Sequence, residues 1–116
     1  MRIDCYSDSG HGWARVPLEL LNWLGLLDRI TPFSYLRGGY AYLEEDCDLT
    51  VFAEACRSAG LPIEFKMKGN VDGRSRIRNY LHYYPDLARQ HMANGREWRP
   101  AWKPPKVLTR PAEAVL

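Results

Sequence analysis

Three stretches of this 116-residue chain, and one scattered set of cysteines and histidines, carry side-chain types that could do chemistry. The first, "SDSGHGW" (residues 7–13), sets His11 between two glycines with Ser7, Asp8 and Ser9 just before it. An acid/base histidine here would be oriented by Asp8 or Asp4. The glycines would also let the backbone wrap an anion in a nest of N–H groups. Serine and aspartate are equally ordinary turn residues, and no paired nucleophile is specified. The stretch therefore reads first as a structural loop, then as a ligand loop through Asp8 and His11, and last as a catalytic centre.

"LEEDCD" gathers Glu44, Glu45, Asp46 and Asp48. Hard oxygens of this kind suit Ca²⁺ or Mg²⁺, but the alternate spacing and central glycine of a calcium loop are missing. At the start of a helix such carboxylates meet the positive end of the dipole, so helix-start electrostatics is the first reading and an acidic docking patch the second. "GRSRIRNY" is the third stretch. If extended, it projects Arg74, Arg76 and Arg78 from one face at steps of about 6.6 Å, near the phosphate repeat of a nucleic-acid strand. Tyr80, Tyr83 and Tyr84 follow as stacking surfaces; if the run is helical, the arginines scatter. The last set, Cys5, Cys47, Cys56, His11, His82 and His91, has no zinc-type spacing. Phosphate-binding glycine loops are absent, so neither a metal nor a cofactor is expected.

Composition narrows the class. The chain is long enough for one domain that buries about 65% of its unfolded surface without a metal or disulfides. A hydrophobic fraction of 46% with 26% charged residues is ordinary for a globular protein. Three cysteines without a CxxC pair argue for a reducing compartment. No secretory pattern opens the chain and no apolar run approaches a membrane span, so a cytoplasmic protein with no membrane partner is expected. The net charge of +2 conceals a split. Residues 1–60 hold five basic against nine acidic residues (−4), and residues 61–116 hold eleven against five (+6). Two differently charged surfaces fit this better than a uniformly basic one.

The elements that must position these residues follow from periodicity. "RIDCYS" alternates, with Ile3 and Cys5 on one face and Arg2, Asp4 and Tyr6 on the other, and "WARV" can pair with it. Pro17 suits a first helical turn and Gly25 a stop. "FSYLRGGYAYL" predicts a hairpin about Gly38–Gly39. Leu49, Phe52, Ala53 and Cys56 form a helical stripe, with Asp48 as its cap and Gly60 with Pro62 at its end. "IEFKMK" predicts a half-buried strand with Ile63, Phe65 and Met67 inward, and "PDLARQHMANG" predicts one more helix. The expected core is Ile3, Leu20, Leu24, Phe52, Cys56, Ile63, Phe65 and Met67. The fold class is α+β: a small antiparallel sheet packed with two or three helices over residues 1–97, then a proline-rich basic tail, 98–116. Trp98 and Trp102 stand on that tail as anchors for a contact with this domain, a second copy or a target.

"DSGHGW", "YLEEDCD" and "SRIRNY" together resemble a group of short proteins of tailed bacteriophages and prophages. The resemblance covers roughly residues 1–84, and the segment from Pro85 onward departs from the short form of that pattern. It implies a phage accessory product acting inside a bacterium, and it transfers no catalytic residue. The expected function is non-enzymatic: binding to a host protein or ribonucleoprotein complex to inhibit or modulate it, most concretely as an anti-CRISPR or other anti-defence protein. Two competing classes are a nucleic-acid-binding accessory protein using the Arg74/Arg76/Arg78 face and a small enzyme centred on His11. A homodimer is compatible with all three.

Overall fold

Alternating residues in the first two runs build a hairpin. β1 (Arg2–Ser7) pairs antiparallel with β2 (Gly12–Pro17), with Asp4 opposite Arg15 and Tyr6 opposite Trp13. The structure is a computed structural model that describes residues 1–94 and 102–104. Pro17 both closes β2 and is the N-cap residue of α1 (Leu18–Trp23), one position before the first helical turn. The second hairpin, β3 (Tyr35–Arg37) and β4 (Tyr40–Glu44), turns at Gly38 with φ 61° and joins the first through β2 and β4. Next come α2 (Asp48–Ser58), β5 (Glu64–Asn70), a 3₁₀ turn (Arg76–Asn79), β6 (Leu81–His82) and α3 (Pro85–Ala93). α1 and α2 end alike. Gly25 and Gly60 donate to the carbonyl three residues back, and Leu26 and Leu61 to the one five back, which caps the orphan carbonyls of each last turn.

The sheet has the order β5-β1-β2-β4-β3-β6. Its class is α+β as the pattern predicts, with one departure from a purely antiparallel sheet: β5 runs parallel to β1. The helix α2 lies between β4 and β5, so the chain returns by a crossover rather than a hairpin, and a crossover permits parallel pairing. Ile3, Ala14, Val16, Leu36, Ala41 and Leu43 line the sheet face that the helices cover. Against them pack Leu20, Leu24, Phe52, Cys56 and Tyr83, all buried.

Two expected core residues are not buried. Phe65 and Met67 are 43% and 59% exposed, and Ile63 is only partly buried against the core. Their alternation is real, but β5 is an edge strand that lies beyond the helical layer, so its apolar side has nothing to cover it. Trp102 packs on Trp23, ring centroids 5.4 Å apart. Trp98 and most of the expected tail lie outside the described residues. Among the described residues no helix is long and apolar enough to cross a membrane.

Candidate binding face

Strand register fixes what the other side of the sheet presents. Tyr6, Trp13, Arg15, Tyr40, Tyr42, Tyr35 and Arg37 occupy paired positions on the face away from the helices. β5 and β6 lie at opposite edges, so residues 71–80 must cross the whole sheet. Ten residues reach about 33 Å, enough for five strand spacings of about 4.8 Å. This connection is a strap. Ile77, buried, packs with Trp13 and Tyr42, and Tyr6, Tyr35, Tyr40 and Tyr80 surround that cluster. Tyr42 and Tyr80 meet edge to face with ring centres 5.1 Å apart, and the rings of Tyr6 and Tyr42 lie tilted at 6.3 Å.

A buried carboxylate pins the strap. Asp8 accepts hydrogen bonds from the backbone N–H of Gly10, His11 and Ser75, and a two-pronged pair from Arg78 Nε (2.6 Å) and Nη2 (2.8 Å). The Arg78 guanidinium holds the Asp8 carboxyl far below the usual carboxylate range, helped by those backbone donors against the cost of burial. Asp8 in turn raises Arg78. A Cβ at Gly10 would stand 2.8 Å from Arg78 Nη2, so any side chain there would push the guanidinium from its place against Asp8. On the strap itself, Ser75 caps the 3₁₀ turn by accepting from Ile77 N–H.

These contacts correct several expectations. The nest in the "SDSGHGW" loop is filled by the chain's own Asp8, so it is not an open anion site. Asp8 is committed to the strap and does not orient His11, whose exposed ring sits 6.3 Å from that of Trp13. The arginine run is a turn, not a strand, and does not project from one face. Arg78 turns inward to Asp8, while Arg74 and Arg76 remain exposed. The turn forms because Ile77 has a buried site between two rings and Ser75 supplies the cap. Tyr83 is no stacking surface: it is buried and its hydroxyl donates to the Leu27 carbonyl at 2.6 Å.

The acidic patch is half internal. Glu44 and Asp48 are buried, whereas Glu45 and Asp46 are exposed. Cys47, not Asp48, is the N-cap residue of α2. Glu44 accepts from the N–H groups of Asp46, Cys47 and Asp48, which satisfies the helix start, as the dipole favours. Asp48 reaches the preceding loop and accepts from Thr31 N–H, Thr31 Oγ1 and Ser34 Oγ. With those oxygens engaged, the Glu44–Cys47–Asp48 cluster has little left for a cation. His11, Glu45 and Asp46 also place ligand atoms within 4.8 Å of one another, all on exposed side chains.

The strap divides the open face into two hollows. One, of about 330 Å³, is lined by His11, Trp13, Phe33, Tyr35, Asp46 and Arg78. The other, of about 410 Å³, is lined by Tyr6, Tyr42, Tyr80, Arg74 and Arg76 with Gly69 at its edge. Tyr6, Tyr42 and Arg37 belong to this surface and were not among the sequence candidates. The alternation of "YAYLE" carried the signal, since it sends Tyr40 and Tyr42 to the face opposite Ala41 and Leu43. What fold and site define together is a small α+β protein with one helix-covered sheet face and one aromatic–arginine face under a clamped strap. Compared with known proteins, the chain matches no family model, no curated protein and no solved structure.

Proposed function

We propose that this protein works by binding, with the strapped face docking on a host complex inside a bacterium to block or modulate it. An anti-CRISPR or other anti-defence protein of phage origin is the most concrete form of that reading. One observation carries it: three stretches far apart in sequence converge on a single surface. Asp8 of "DSGHGW" clamps Ser75 and Arg78 of "SRIRNY", and Trp13 with Tyr42 of "YLEEDCD" encloses Ile77. The surface so built is rich in tyrosine, tryptophan and arginine, the residues that dominate binding hot spots. It also stands on a rigid sheet, so ordering it on contact costs little.

The test is capture from a CRISPR-bearing host with the wild-type chain and with the Arg74→Ala/Arg76→Ala/Tyr80→Ala variant, paired with plaque counts on an immune lawn expressing each. A complex held by the wild type and lost by the variant, with plaquing restored by the wild type and not by the variant, is the expected result. Equal capture by both proteins removes the face as the docking site. A turnover that disappears in His11→Ala would replace binding by catalysis.

A further inference from the structure

The larger hollow has a more particular chemistry. Three arginines, Arg37, Arg74 and Arg76, belong to the surroundings of Tyr80. The Arg37 guanidinium lies 4.8 Å from the centre of the Tyr80 ring, and Arg74 and Arg76 line the same hollow. None of the three has a carboxylate within ion-pair reach among the described residues, whereas Arg2, Arg15 and Arg78 are paired with Asp4 or Asp8. The strap itself carries one carboxylate, Asp72, against Arg74 and Arg76. Positive charge is thus left uncompensated where aromatic rings are partly exposed.

Resting on the reading of this face as the binding surface, we propose that the hollow is a single-stranded nucleic-acid subsite. An unpaired base lies against Tyr6 and Tyr80 while its flanking phosphates meet Arg74 and Arg76. Three features select this occupant. A volume of about 410 Å³ lies within the range of small-ligand pockets, about 300–1,000 Å³. Tyrosine rings give a base a π-face to stack on, which an acidic peptide side chain cannot use. A duplex keeps its bases stacked inside and offers the rings nothing, so a single strand is favoured over a double one. The strand would be a guide or substrate strand of the bound complex, or a free one.

Anisotropy titrations of fluorescein-labelled oligo-dT and oligo-U, with a labelled duplex of equal length, test this across a series of salt concentrations. Both single strands bind more tightly than the duplex, and log affinity falls linearly with log salt. Arg74→Ala/Arg76→Ala flattens that slope by about 1.4, two contacts at about 0.7 each. Tyr80→Ala lowers affinity by roughly 5- to 150-fold. Arg57→Ala, which removes an exposed charge from α2, leaves both readings unchanged. Circular dichroism confirms that each variant is folded. No single-strand binding at low salt overturns the inference, as does duplex binding of equal strength, an unaltered slope in the double variant, or an equal loss in Arg57→Ala. If a captured host complex still depends on Tyr80, Arg74 and Arg76 while no oligonucleotide binds, the docking reading stands and the nucleic-acid inference fails. Oligonucleotide binding without any captured complex has the converse meaning.

Discussion

At the scale of single residues, Asp8 and the cysteines make the sharpest claims. The Asp8 carboxyl has its pKa lowered in the fold, so the folded state binds its proton less readily than the unfolded chain does. Its stabilisation is therefore fully present above the unfolded value of about 4 and is lost as pH falls from there toward the depressed folded value. Urea midpoints measured from neutral pH down to pH 2 should drop steeply below pH 4 in the wild type. In Asp8→Asn the midpoint should be lower at neutral pH and the acid drop shallower. A wild-type profile no steeper than that of the variant would show that the clamp contributes nothing. Thiol labelling provides a second measurement. Burial pushes the Cys56 thiol up to about 11 and raises Cys5 as well, while Cys47 is exposed. Iodoacetamide should modify Cys47 first under native conditions, with Cys56 reacting only after unfolding. Peptide mapping that finds Cys56 labelled in the native protein would contradict the burial of α2.

Individual elements differ in how much of their structure the sequence discloses. The helix α2 is legible because its apolar stripe and its glycine stop agree, and Phe52 and Cys56 are buried where periodicity places them. Phe52→Ala should cost about 3–5 kcal/mol in chemical denaturation. Phe65→Ser, on the uncovered side of β5, should cost little, since no cavity is opened there. Similar losses in both would mean that β5 is covered after all. Gly60, at φ 69° with open space around its missing Cβ, isolates backbone strain. Gly60→Ala should cost about 1–2 kcal/mol through conformation alone. The strap was not legible for a physical reason. Whether "RSRIRNY" extends, coils or turns is decided by the site Ile77 finds between Trp13 and Tyr42 and by the partner Arg78 finds in Asp8. Neither is encoded within the run. Asp48 follows the same rule: a carboxylate at a helix start looks like a cap until the loop donors from Thr31 and Ser34 are in place.

For the whole molecule, the split of charge along the chain is partly cancelled in space. Asp8 from the acidic half neutralises Arg78 from the basic half, and Asp28 pairs with Arg89 at 2.7 Å. What survives is the local excess around Tyr80, which no count over sequence halves could locate. Of the tail, Trp102 is described: it packs against the core, with its ring on that of Trp23. Removing residues 98–116 should leave a cooperatively folded protein, destabilised by about 1–2 kcal/mol through loss of one aromatic pair and its burial. Loss of cooperativity in thermal unfolding would show that the core extends into the tail.

The clamp also bears on the order in which the molecule is made. Asp8 and Arg78 are 70 positions apart, and β1 too waits for a distant partner, β5, whose Phe65 lies opposite Ile3. A growing chain folds from its N-terminal end, so β1, β2 and both rings that enclose Ile77 emerge well before Ile77 does. Until the strap arrives, Trp13 and Tyr42 are open to solvent and the Asp8 carboxylate lacks its cation. Contacts so distant in sequence form late and slow the overall rate. Asp8→Asn should then speed unfolding in stopped-flow measurements while leaving refolding nearly unchanged, the signature of an interaction absent from the transition state. The binding face would thus be the last part of the protein to exist, completed only once the chain has closed over it.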